Sequence, residues 1–125
     1  MPKIKEDDWI GVDFDGTLAV YTHWQGSHHT GDPVPEMVAR VKQWLAMGKK
    51  VRVLTARVYS PQDDATSQRE AAEALLAIHH WCIEHIGQAL PVTCIKDYGM
   101  IEFWDDRAVA VERNTGRPIN PREED

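Results

Sequence analysis

Hydrophobic and polar positions fall in blocks along the chain, and the blocks differ in period. Trp9 to Phe14, WIGVDF, is a short apolar run closed by Asp15-Gly16, the mark of a buried strand. A polar segment rich in Gly, Ser, His and Pro follows, and predicts an irregular flap over about 21–33. Asp32 with Pro33 and Pro35 signals a helix start. Met37, Val38, Val41, Trp44 and Leu45 then recur at helical spacing, and Gly48 closes the helix. KVRVLT, ending at Thr55, reads as a second strand. A second polar loop, ARVYSPQDDAT, precedes a helix over about 67–86, with Ser67 and Glu70 as its capping box and Gly87 as its stop. PVTCI and MIEFW read as third and fourth strands, AVAVE as a last short strand, and RNTGRP as a turn.

Strands alternating with helices predict βαβ units joined by right-handed crossovers. The expected fold is therefore α/β, a three-layer Rossmann-like arrangement around a mainly parallel sheet. The 125 residues suit one domain, 1–125, with a core over about 9–111 and a flexible tail over about 117–125. In such sheets ligands bind beyond the carboxyl ends of the strands. Asp13 and Asp15, Thr55, Lys96, and Asp105 and Asp106 all lie at such ends.

Those residue types specify a chemistry. Two carboxylate pairs from different strands repel one another, which raises their pKa values until a cation relieves the repulsion. Oxygen donors with few nitrogen or sulfur ligands suit Mg²⁺. Lys96 and Thr55 add a cation and a hydroxyl, and the Gly16-Thr17 turn adds backbone N–H donors, a set suited to a phosphate. Of the two aspartates in DFD, one is placed to act as a nucleophile and the other as a general acid and base. Metal, lysine and backbone donors would stabilise the transferring phosphoryl group.

Composition narrows the setting. The net charge of −6 argues against a generally basic nucleic-acid-binding surface. No apolar run is long enough for a membrane span, and MPKIKEDDW lacks the apolar segment of a signal peptide. Cys82 and Cys94 form neither a metal spacing nor a disulfide framework, and read as small core residues in a reducing cytoplasm. Trp9, Trp44, Trp81 and Trp104 read as core. His23, His28 and His29 read as surface histidines of the flap, and Trp24, also in the flap, reads first as packing of that flap, with stacking on a nucleobase as the alternative.

DFDGTL resembles the first motif of the haloacid dehalogenase (HAD) superfamily. VRVLT resembles its second, Lys96 in TCIKD its third, and IEFWDD its fourth, all in the family's order. The resemblance implies a HAD-like fold and an enzyme, a phosphoric monoester hydrolase dependent on Mg²⁺. It implies that Asp13 is the nucleophile and a metal ligand, and that Asp15 is the general acid and base with its carbonyl on the metal. Thr55 would bind the phosphoryl oxygens, Lys96 would neutralise them, and Asp105 and Asp106 would complete the metal site. Only eight residues, 97–104, separate Lys96 from Asp105, where many members place a longer helical segment. The spans 16–54 and 56–95, of 39 and 40 residues, leave no room for a cap domain. The implied form is capless, with an open site that takes large substrates or is covered by a neighbouring subunit of a homo-oligomer.

LTAR, WCIEHIG, LPVT and WDDR are similar to the phosphatase domain of phage polynucleotide kinases, with Arg57 and Arg107 at matching positions. That likeness implies a phosphorylated nucleic-acid end as substrate, with Gly16, Thr17, Thr55, Ala56, Arg57 and Arg107 in contact with it. A small phosphomonoester, such as a nucleotide or sugar phosphate, is the alternative substrate. Receiver domains also combine aspartates, Mg²⁺, Thr and Lys, but their order differs, and Asp15 has no receiver counterpart. A phosphate-binding module without turnover is the remaining alternative.

Overall fold

The computed structural model describes residues 5–120. Four strands, β1 (Trp9–Val12), β2 (Val51–Leu54), β3 (Val92–Thr93) and β4 (Met100–Trp104), form one sheet in the order β3-β2-β1-β4. Every pairing is parallel. Helix α1 (Pro35–Ala46) joins β1 to β2, and α2 (Ala65–His85) joins β2 to β3.

Each helix starts for a local reason. Pro35 opens α1 at a position where its missing N–H costs no hydrogen bond. Asp64 caps α2: its Oδ1 accepts from the N–H groups of Thr66 and Ser67, each at 3.1 Å. The helix therefore begins two residues before the expected Ser67, and Asp64 takes the capping role given to Ser67 and Glu70, because the earlier carboxylate reaches the same orphan donors. Ser67 Oγ instead donates to Asp64 Oδ2 at 2.9 Å. Gly48 follows α1 at φ +80°, a conformation that glycine adopts without strain.

Register decides how the layers stack. Ile10 and Val12 pair with Val51 and Val53, so these four side chains share one face. That face carries one cluster with Met37, Val38, Val41 and Trp44 of α1 and Ile78, Trp81 and Cys82 of α2. Both helices thus pack on the same face, as two right-handed crossovers running in the same direction require. Among the described residues the fold has two layers, not the expected three, because no helix joins β3 to β4. Across the sheet, Gly11 faces the other way, and a Cβ on it would lie 2.8 Å from Met100 Sδ. Trp9 is covered there by Arg52, whose guanidinium lies 4.6 Å from the ring centroid.

Four local expectations are corrected. The third strand shrinks to Val92–Thr93, since only these residues reach β2. AVAVE adds no strand to the sheet. Val111 instead forms an isolated antiparallel bridge to Pro118 across a turn at 112–117. Residues 117–120 of the expected tail belong to that return arm, and 121–125 lie outside the described residues. Cys94, expected in the core, is exposed, whereas Cys82 is buried. No helix among the described residues is long and apolar enough to cross a membrane.

Candidate active site

Strand β1 ends at Val12, so Asp13 leaves the sheet at its carboxyl end, its N–H still bonded to Trp104 O at 2.9 Å. That bond places Asp13 beside Asp105 and Asp106, which follow β4 at once. Carboxylate oxygens of these three residues lie within 4.8 Å of one another. Residues 14–19 turn back tightly: Leu18 and Ala19 N–H groups donate to Phe14 O at 3.0 and 2.9 Å. Gly16 sits at φ +86° in this turn, and a Cβ on it would lie 2.6 Å from Asp106 Oδ2. Only a glycine lets the acidic pair approach so closely.

The electrostatics follow from the crowding. Asp13 is raised from 3.8 to about 7, first by burial, then by the Asp105 charge, a side-chain hydrogen bond with Asp106 and the Asp106 charge. Thr17 Oγ1, donating to Asp13 Oδ2 at 3.3 Å, opposes the rise. Asp105 also caps the following turn, its Oδ1 accepting from Arg107 N–H at 2.6 Å and Ala108 N–H at 3.1 Å. Capping and cation binding are compatible, since one carboxylate offers several lone pairs.

Asp15 stands apart from that trio. Arg57 grips it with both prongs, Nε to Oδ2 at 2.7 Å and Nη2 to Oδ1 at 2.9 Å. The same guanidinium donates through Nη1 to the carbonyls of Ser27, at 3.3 Å, and His29, at 2.7 Å. It lies over the rings of Phe14 and Trp24, at 5.7 and 5.0 Å from their centroids. Its side chain is only 6% exposed, so Arg57 is a buried strut joining the flap to Asp15. Trp81 Nε1 holds the far end of the flap through Gly31 O at 2.8 Å.

These groups open into a cavity of about 820 Å³, within the range of small-molecule sites. Asp13, Asp15, Thr55, Ala56, Arg57, Asp105, Asp106 and Arg107 all line it. Thr55 is 4% exposed, and its Oγ1 accepts from Arg57 N–H at 3.2 Å. Two expected contributors are placed differently. Lys96 is exposed in the loop between β3 and β4 and is not among the lining residues. Gly16 and Thr17 line a smaller neighbouring cavity of about 250 Å³, on the Arg40 and Trp104 side of the acidic pair. Their N–H groups already donate within the turn, to Ala19 O at 2.8 Å and Phe14 O at 3.3 Å.

The lining also includes Tyr21, Tyr59 and Phe103, to which the sequence assigned no role, and Glu70 and Cys94, which it read as a helix cap and a core residue. Tyr59, two residues after Arg57 in a polar loop, carried the same signal as Trp24. Phe103 had no such signal, because a strand residue before an acidic pair reads as core. In comparisons with family models, curated proteins and solved structures, nothing matches this chain.

Proposed function

We propose that the protein is a Mg²⁺-dependent phosphomonoester hydrolase of the HAD type, working through an aspartyl-phosphate on Asp13. The observation that carries this reading is the convergence of Asp13, Asp105 and Asp106 within 4.8 Å at the mouth of a cavity. The donor set fits the metal: three hard carboxylates crowd together, and one of them is driven to about 7 by burial and its neighbours. The lining as a whole holds five carboxylates against two guanidiniums, so a phosphate would be repelled unless a cation were bound. Asp13, Asp105 and Asp106 would hold Mg²⁺, with the Asp15 carbonyl as a further oxygen donor. Bound there, it would supply a Lewis acid that neutralises phosphoryl oxygens.

In this reading an Asp13 carboxylate oxygen attacks phosphorus, and the bond from phosphorus to the substrate oxygen breaks. Asp15, with one oxygen freed from Arg57 and carrying the proton taken from water in the preceding turnover, gives that proton to the leaving oxygen. Asp15 then takes a proton from water, the resulting hydroxide attacks the aspartyl-phosphate, and inorganic phosphate leaves with Asp13 restored. Arg57 orients Asp15 while it is a carboxylate, and Thr55 would donate a hydrogen bond to the phosphoryl group. Arg107 supplies positive charge at the mouth. Cytoplasmic residence, as the cysteine content suggests, belongs to the same proposal, and a second subunit covering the open site remains compatible with it.

The test is Mg²⁺-dependent phosphate release from oligonucleotides phosphorylated at either end, mononucleotides and sugar phosphates. Activity that disappears in Asp13→Asn and with chelator supports the reading; full activity in Asp13→Asn refutes it. A second reading, a phosphate-binding or receiver-like phosphoacceptor module without turnover, is favoured by the place of Lys96 outside the cavity lining. It predicts phosphate binding or a single phosphorylation of Asp13 with no sustained release.

A further inference from the structure

Beyond the acidic pair the chain leaves the body of the fold. Residues 107–120 are all exposed. Glu112 N–H donates to Arg117 O and Ile119 N–H to Ala110 O, both at 2.8 Å, on either side of the Val111–Pro118 bridge. The result is a two-stranded arm. Its faces differ, because side chains alternate along each strand. Glu112 and Arg117 lie opposite each other on one face and form an ion pair at 4.0 Å. Val111, Pro118 and, two residues back, Val109 share the other face, and that face is apolar. Val109 is 47% exposed and Val111 55%. A lone hairpin is marginally stable at best in water and needs a further strand or layer against it.

A surface of the right kind is on the same chain. β4 is the last strand of the sheet, so one row of its backbone N–H and C=O groups has no strand beside it. Its Ile101 and Phe103 are 46% and 39% exposed. Phe103 pairs with Gly11 and shares its face, the one without a helix. Only Asp105 and Asp106 join β4 to the arm, yet Ile101, Phe103, Val109 and Val111 all stay exposed. The arm therefore does not fold back over its own β4.

Charge and size indicate what covers both. The arm carries Arg107, Arg113 and Arg117 against Glu112, a net +2 in a chain of net charge −6, which leaves −8 on the rest. Arg113 has no ion pair among the described residues. Such an arm is complementary to an acidic body with an open apolar strand, and this protein is one. β4 and the arm span residues 100–120, against about 20–30 residues a side in a standard interface. At on the order of 100 Å² for a half-exposed residue, covering about eight of them reaches the roughly 800 Å² per partner of such an interface. A two-fold axis beside β4 satisfies both arms at once, because each patch then meets its own copy.

We infer that the protein forms a two-fold dimer in which the arm of each copy packs, through Val109 and Val111, on Ile101 and Phe103 of the other. The inference does not rest on the hydrolase reading, since it asks nothing of the acidic trio.

Sedimentation velocity of the full chain over a concentration series, paired with amide exchange, tests it. The wild type is expected at twice the 14.2 kDa of one chain. Exchange at the Glu112 and Ile119 amides is expected to slow as concentration rises. Val111→Asp and Ile101→Lys are each expected to weaken self-association about 30-fold or more, the loss of one interface hot spot. Leu76→Asp, at an exposed site on α2, is expected to leave the dimer unchanged. Near-ultraviolet circular dichroism of the buried tryptophans checks that each variant is folded, and Val111→Asp, on the exposed arm, is the variant least able to disturb the core. A wild type that stays monomeric at every concentration overturns the inference. So does a dimer that survives both Val111→Asp and Ile101→Lys, since its interface then lies elsewhere. An arm that is protected only when another protein or a nucleic acid is added also overturns it, and assigns the arm to that partner.

Discussion

Asp13→Asn removes the proposed nucleophile and is expected also to stabilise the metal-free fold. In the folded chain the carboxyl is raised from 3.8 to about 7, so ionising it costs free energy that the unfolded chain does not incur. At about 1.4 kcal/mol per unit the shift corresponds to roughly 4 kcal/mol. Asp13 lies at the cavity wall in partial contact with water, and screening reduces the expected cost to about 1–2 kcal/mol. Below a pH of about 4 the group is protonated in both states and the cost vanishes. It grows as pH rises and is complete above about 7, where wild-type stability has been lost relative to acid. Asparagine carries no such charge and keeps an oxygen that can accept from Thr17. With chelator at pH 8, Asp13→Asn should melt roughly 3–8 °C above the wild type, and the difference should close near pH 4. Excess Mg²⁺ should raise the wild-type melting temperature more than that of the variant. Thermal melts across pH, with chelator and with Mg²⁺, read all of this. Equal or lower stability of Asp13→Asn at pH 8 in chelator would refute the account of crowded carboxylates.

Three further outcomes follow from single contacts. Arg57→Lys keeps the charge but loses the two-pronged grip on Asp15, so chemical denaturation should show a loss of about 1–3 kcal/mol. Amide exchange in the flap should quicken in the same variant, because Nη1 no longer holds the Ser27 and His29 carbonyls. Gly16→Ala places a Cβ against the Asp106 carboxylate at φ +86°, so it should weaken Mg²⁺-dependent thermal stabilisation more than it lowers metal-free stability. Trp81→Phe preserves an aromatic ring against Phe14 but removes the donor to Gly31 O. It should cost about 1–2 kcal/mol, measured by denaturation, and loosen the end of the flap near Gly31.

Elements whose periodicity is local were legible from the chain alone. The apolar runs of β1, β2 and β4 and the helical spacing of α1 are written in neighbouring residues, because side-chain direction repeats along a strand or helix whatever lies around it. The same logic put Asp13 and Asp105-Asp106 at strand ends, where a parallel sheet opens its ligand-binding edge. The chain did not reveal that Arg57 would close on Asp15. Those residues are 42 apart, and the parallel pairing of β1 with β2 together with the fold of the flap brings them together. Nor did it show that Lys96 would lie outside the cavity lining or that the third strand would shrink to two residues, since strand length depends on how far the neighbour runs alongside. The two-layer stacking was likewise decided by topology: with no helix between β3 and β4, the second face is covered only by side chains such as Arg52 over Trp9. Local pattern sets which way a side chain points; the return path of the chain sets what it meets, and the candidate site is made almost entirely of such meetings.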